Sequence, residues 1–195
     1  MEKIYIALVN TPGFFAGIIR QVIQKEYIHV VVSMDNDLAE AYSIGRRNPF
    51  IPCFAGFEKE DKNKIYSAFP TARYLIYSID CTREQKARIE AFLKQCYRHR
   101  FRYHYCIAGL PYILLQKPFY QKSHYTCSSF IARLLSVNGI NLFDKHFSLV
   151  TPADFYDIKG KEIIFEGFLG EFLHRNQGEE EKCRKEIYYR RRSLV

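Results

Sequence analysis

Cys127 stands in the segment Tyr125-Thr126-Cys127-Ser128-Ser129-Phe130, where Thr126 has the character of a helix N-cap. A thiol in the first turn of a helix faces unpaired backbone amides and the positive end of the helix dipole. Both favour the thiolate, the form that attacks carbonyl carbon. The attack also needs a base, because a cysteine near its ordinary pKa is mostly protonated at neutral pH. Of the six histidines, His29 has the most informative setting. It interrupts Tyr27-Ile28-His29-Val30-Val31-Val32, an otherwise apolar run in which a buried imidazole requires a polar partner. His124, three residues before Cys127, reads as a loop residue at a cleft rim, and His146 and His174 have no context that assigns them a role.

A base in a nucleophile–base pair is usually oriented by a third group. The Asp35-Asn36-Asp37 turn signal returns the chain past His29 carrying Glu40, Tyr42 and Ser43. A two-residue turn places Glu40 and Tyr42 on the sheet face of His29, and a three-residue turn brings Ser43 there instead. Glu40 is the preferred partner, since a carboxylate fixes the imidazole tautomer and stabilises the imidazolium. Tyr125, beside the nucleophile, is the place to look for an oxyanion donor additional to the Cys127 amide.

The elements that must position these groups follow from periodicity. Ile4 to Val9 reads as a buried strand closed by Thr11-Pro12-Gly13, and Phe14 to Gln24 as a short helix. Tyr27 to Met34 and Leu38 to Ile44 form a hairpin, and residues 45–64 a long loop bordering a cleft. Arg73 to Ile79 is a strand. Thr82 to Gln85 fits a capping box for a helix reaching about Cys96, with Ile89, Phe92, Leu93 and Cys96 on its buried face. An apolar segment of undetermined type begins at Gly109-Leu110-Pro111 and ends at Pro118. The helix opened by Cys127 runs to about Val137 before Asn138-Gly139, and Glu162 to Phe168 is a last strand.

The order of these motifs carries a resemblance. Histidine in a strand (Tyr27-Ile28-His29-Val30), a following strand with Glu40-Ala41, and much later Tyr125-Thr126-Cys127-Ser128-Ser129-Phe130-Ile131 opening a helix resemble the circularly permuted branch of the NlpC-type papain-like hydrolases. That branch contains the YiiX-like and the lecithin retinol acyltransferase-like enzymes. The segments Ala41-Tyr42-Ser43-Ile44-Gly45-Arg46 and Thr151-Pro152-Ala153-Asp154-Phe155-Tyr156 resemble a bacterial subgroup of it. The resemblance spans residues 1 to about 168. It implies an α+β papain-like core, with an antiparallel sheet packed against the nucleophile-bearing helix, and no cofactor. It further implies that Cys127 attacks a carbonyl, His29 moves the proton and Glu40 positions His29, on a peptide, amide or lipid-acyl substrate. One departure is Ile28, where members often carry a small hydroxyl residue.

Composition bounds the rest. With 195 residues and 48% hydrophobic content, one core is expected, in a domain of residues 1–178 followed by a charged tail of residues 179–195. The N-terminal apolar run is too short for a signal peptide, and no stretch approaches the roughly 20 apolar residues a membrane helix needs. A cytoplasmic protein with six free thiols is therefore expected, away from intact cell wall. The net charge of +8 is concentrated in Arg98 to Arg102 and in the tail from Lys182 to Arg192, which has the character of a weak contact for an anionic membrane. The basic and aromatic residues of segment 97–105 suit single-stranded nucleic acid in a runner-up, non-catalytic reading. Cys96, His99, His104 and Cys106 are too awkwardly spaced for zinc, so no metal is expected. Oligomeric state is not legible.

Overall fold

The computed structural model describes residues 1–12, 26–47 and 55–175. The helix expected over Phe14 to Gln24, Cys53, and the tail lie outside the described residues. Eight strands form one sheet: β1 (Glu2–Asn10), β2 (His29–Ser33), β3 (Ala41–Arg46), β4 (Ala55–Lys59), β5 (Arg73–Cys81), β6 (His104–Tyr105), β7 (His124–Tyr125) and β8 (Glu162–Phe168). Their order is β7-β6-β4-β3-β2-β1-β5-β8, antiparallel throughout except for the short β6/β7 pair. The helices are α1 (Lys62–Ala68), α2 (Arg83–Arg98), α3 (Leu110–Leu114), α4 (Cys127–Val137) and α5 (Pro152–Tyr156), and residues 169–175 are also helical. The chain is thus α+β around a mostly antiparallel sheet.

Strand β1 reads as a continuous apolar run because it is buried on both faces. Ile4, Ile6 and Leu8 join a core with Val30, Val32, Tyr42, Ile44 and Phe57 from the sheet and with Ile89, Leu93, Phe130, Ile131 and Leu134 from α2 and α4. Ala7 and Val9 join a second, smaller core on the opposite face with Val31, Tyr74, Ile76, Leu169 and Phe172. Helix α2 begins at the expected capping box: Thr82 Oγ1 accepts from the Gln85 amide at 3.1 Å, and the Gln85 side chain accepts from the Thr82 amide at 2.9 Å. Phe92 does not share the buried stripe of α2; it is 41% exposed while stacking its ring on Phe130 at 6.4 Å.

Two local expectations are corrected. The loop expected over residues 45–64 contains strand β4 and the start of α1, because Phe57 fills the main core and Gly56 lets β4 run close beside β6. The second arm of the hairpin starts at Ala41 rather than Leu38, since Asp35 accepts the amides of Ala39 and Glu40, both at 2.7 Å, and closes a wider loop over residues 35–39. Leu38 takes the left-handed conformation there, with φ 62°. That loop sets the register, with Val32 opposite Tyr42 and Ser33 opposite Ala41.

Phe130 joins α4 to the sheet, its ring lying 5.2 Å from Phe57, 5.6 Å from Tyr125 and 6.3 Å from Tyr103 while only 3% exposed. Changing Phe130 to Ala removes a ring from a site that cannot collapse easily, and chemical denaturation is expected to show a loss of about 3–5 kcal/mol. A loss under about 1 kcal/mol would mean that α4 is not anchored through this ring.

Candidate active site

Helix α4 delivers the thiol. Thr126 caps it with a reciprocal pair: its hydroxyl accepts from the Ser129 amide at 3.2 Å, and the Ser129 hydroxyl accepts from the Thr126 amide at 2.9 Å. Ser128 ties the same turn to the Val150 carbonyl at 2.6 Å. Cys127, at the first helical position, is 3% exposed and lines a cleft of about 440 Å³.

The sheet opens to receive it. In the β2/β3 ladder the Met34 amide donates to the Glu40 carbonyl at 3.1 Å, so hydrogen-bonded pairs recur at Val32–Tyr42 and, were the ladder to continue, at Val30–Ile44. Pairing ends at Val32–Tyr42, although β2 reaches back to His29 and β3 onward to Arg46. The Val30 amide instead hydrogen-bonds the Cys127 sulfur, as does the Ser128 amide.

His29 lies beside the sulfur and hydrogen-bonds it. Its Nε2 lies 3.1 Å from Ser43 Oγ and 3.1 Å from Glu60 Oε1, which leaves Nδ1 to face the thiol. Ser43 Oγ in turn donates to the same Glu60 oxygen. Both His29 and Glu60 are mostly buried, with side-chain exposures of 23% and 19%. Glu60 follows β4 directly. Its amide donates to the Ala41 carbonyl at 2.9 Å, and the next residue, Asp61, caps α1 by accepting from the Asn63 and Lys64 amides. The carboxylate is therefore held between a strand end and a helix start.

The electrostatics form one coupled unit. Burial alone would push the Cys127 thiol up, but His29 and the Val30 and Ser128 amides outweigh it and hold the thiol below its ordinary value. Burial alone would lower His29; the opposing charge of Cys127 and the hydrogen bonds to Cys127 and Glu60 raise it to about 10. Glu60 is lowered despite its burial, chiefly by its hydrogen bond to His29. The shifts run opposite ways on sulfur and imidazole, favouring a thiolate–imidazolium pair at neutral pH. Burial instead raises the thiols of Cys81, Cys96 and Cys106, with Cys96 at about 11.

Cys127 and His29 meet as the sequence suggests; Glu40 does not join them. The loop over residues 35–39 has an odd number of residues, so Ser43 shares the face of His29, and Glu40 and Tyr42 take the opposite parity. Glu40 accepts from Lys59 Nζ and from the Tyr42 hydroxyl, each at 2.6 Å, away from the imidazole. Tyr42 is buried in the main core against Phe57 and Tyr97. Tyr125 likewise turns from the cleft: its hydroxyl accepts from Arg133 at 2.7 Å and lies 3.1 Å from the Tyr120 hydroxyl. Its backbone still serves the site, because the Tyr125 carbonyl accepts the Cys106 amide and aligns β7 with β6, which carries Tyr105 into the cleft.

Three residues of the site escaped the sequence reading. Glu60 lay in what reads as a charged loop, and only its place next to the capping residue Asp61 hints that it is fixed. Tyr105 lines the cleft, and burial first, then the charge of the Cys127 sulfur, raise its phenol well above the ordinary range. Gly45 stands where β3 passes beneath the imidazole. A Cβ there would lie 2.8 Å from His29 Cε1 and 3.2 Å from Nε2, so the missing side chain is what lets the ring reach Ser43 and Glu60.

Segment 97–105 is engaged internally only in part, since Arg98 and Arg102 are exposed. Arg47 and Arg100 both pair with Glu58, at 3.4 and 3.3 Å, and Arg100 lies over Tyr97 and Phe101. Among the described residues no group of three or more His, Cys, Asp or Glu side chains is placed to hold a metal ion, and no helix is long and apolar enough to cross a membrane. Comparison of the chain with protein-family models, with curated proteins and with solved structures gave no match.

Two outcomes test this geometry. Iodoacetamide at a pH of about 6 is expected to label Cys127 ahead of Cys81, Cys96 and Cys106, read by peptide mass spectrometry, because its thiolate persists below the ordinary thiol range while theirs does not form. The sign is fixed by the shifts: reactivity falls as pH drops through the lowered Cys127 pKa. Gly45→Ala, which crowds the imidazole, should abolish that selectivity while leaving the melting temperature within a few degrees. Equal labelling of all four thiols in the parent protein would contradict the thiolate–imidazolium pair.

Proposed function

We propose that the chain is a papain-like cysteine hydrolase or acyltransferase of the permuted NlpC-type branch, acting on an amide or ester bond through an acyl-thioester on Cys127. The observation that carries this reading is a single juxtaposition: a depressed thiol at a helix tip against an imidazole whose far nitrogen is held by Glu60, both in the wall of one cleft.

The chemistry follows from the roles these positions suit. The Cys127 thiolate adds to the substrate carbonyl, and negative charge moves onto the carbonyl oxygen. The Cys127 amide and the Tyr105 hydroxyl are the donors for that oxyanion. The imidazolium of His29 then protonates the departing amine or alcohol, the carbon–leaving-group bond breaks, and the acyl group stays on sulfur as a thioester. Water enters, His29 takes its proton, and attack on the thioester releases a carboxylic acid and regenerates the thiolate. Another hydroxyl or amine in place of water gives acyl transfer. Glu60 and Ser43 hold the ring in register through both proton transfers, the task assigned to Glu40 on sequence grounds.

The cleft wall mixes apolar groups such as Ile28, Ile65 and Phe69 with Glu58, Lys59 and Lys64, so it suits a substrate with both an apolar and a charged part. Peptide, amide and lipid-acyl compounds all meet that description. Free thiols at Cys81, Cys96, Cys106 and Cys127 fit a reducing, cytoplasmic setting. The nucleic-acid reading has less support, since Arg100, at the middle of its segment, is already engaged with Glu58 and with neighbouring rings.

A p-nitrophenyl acyl ester provides the assay. Cys127→Ala is expected to reduce turnover to background, and Glu60→Gln to lower kcat by about 10²-fold with little change in KM. Tyr105→Phe should lower kcat by a comparable factor through loss of an oxyanion donor. Glu40→Gln, by contrast, should leave kcat within about two-fold, as expected of an exposed ion pair. Equal losses from Glu40→Gln and Glu60→Gln would undo the assignment of Glu60, and full activity of Cys127→Ala would undo the enzyme.

A further inference from the structure

The run Ile107 to Leu115 contains no charged residue, yet it is not buried. It folds as a 3₁₀ turn at Ile107–Gly109 and the single-turn helix α3, stopped by Gln116 in the left-handed conformation at φ 53°. Ile107, Leu114 and Leu115 are 56, 60 and 63% exposed, and Tyr112, its ring stacked on Phe119 at 4.6 Å, is 39% exposed. Large side chains presented together in this way mark an interaction surface rather than ordinary exterior. The ledge adjoins the site, because Ile107 is also part of the cleft wall.

Its charge setting selects the partner. From residue 91 to residue 143 the chain holds no Asp or Glu, although it has 21 acidic residues in all. Exposed cations Arg102, Lys117 and Lys122 stand before and after the apolar run in the sequence. A second copy of the chain laid on this face would bring the like charges of this stretch together. An anionic lipid surface answers both features, taking apolar side chains at the depth of the acyl boundary and cations at the headgroups.

We propose that the ledge of residues 107–115 docks the protein on an anionic phospholipid bilayer, with the cleft mouth at the lipid boundary. The docking is interfacial, since no described helix can span the bilayer. It does not depend on the thiol chemistry and persists in Cys127→Ala.

The chain has no tryptophan, so Leu114→Trp supplies a lone reporter at the centre of the ledge. With the full chain, vesicles of phosphatidylcholine and phosphatidylglycerol are expected to shift its emission to the blue, with quenching by brominated lipid, whereas pure phosphatidylcholine binds at least about tenfold more weakly. In co-sedimentation, Leu114→Ser with Leu115→Ser should weaken binding about tenfold or more, and Lys117→Gln with Lys122→Gln should reduce both binding and its salt dependence. Absence of a blue shift on anionic vesicles overturns the proposal, and this readout stands even where the serine variant fails to fold. Binding undiminished in a folded serine variant also overturns it, by assigning adhesion to another surface such as the basic tail. So does lipid-free self-association that the serine variant abolishes, which would give the ledge to a second copy.

Discussion

A backbone amide in the interior of a sheet must have an acceptor, and at Val30 that acceptor is a sulfur atom. The β2/β3 ladder stops one pair short of using the Val30 amide, and the tip of α4 occupies the opening. Much of the site follows from that substitution. The helix cannot slide without orphaning the amide, so Cys127 is fixed along the strand, and His29, the residue before Val30, is fixed beside it. A side chain from a helix on one face of the sheet thereby meets side chains whose neighbours, Ser43 and Glu60, belong to the other face.

Charge reinforces the geometry. Thiol, imidazole and carboxyl lie in a row in which each outer group favours the charged form of the central ring, and the ring favours theirs. None of the three would keep its charge alone at this depth, since burial works against every one of them. The row is stable because its members are supplied by elements already locked by other bonds: the Thr126–Ser129 cap for Cys127, the β1 pairing for His29, and the Ala41 carbonyl together with the Asp61 cap for Glu60. The arrangement is preorganised, with dipoles and charges held in place by bonds outside the row.

The distribution of charge over the surface is equally uneven. Acidic residues are excluded from the whole stretch between α2 and the residues after α4, and the apolar ledge sits inside that stretch, at the cleft. Two other cations, by contrast, are drawn inward: Arg47 and Arg100 converge on Glu58 and hold β4 against the turn after α2. What reads in sequence as a uniform basic-aromatic segment is divided by folding into a structural half and an exposed half.

The sequence by itself determined the parts that depend on neighbours along the chain. The capping signals at Thr82 and Thr126, the apolar runs of β1, β5 and β8, and the placement of Cys127 in a first helical turn are local matters, decided by hydrogen bonds three residues apart and by alternation of side chains. The pairing of thiol with imidazole was legible because each residue is anomalous where it stands, a reactive group at a cap and a polar ring in a hydrophobic strand. The tertiary structure alone decided which carboxylate completes the row. One residue more or less in the loop after Ser33 exchanges the two faces of β3, and a strand hidden in an apparently irregular segment brings Glu60 to the place expected of Glu40. Sequence pattern states how side chains alternate along a strand, but the face that alternation begins on is settled by turn closure and by contacts between residues far apart in the chain.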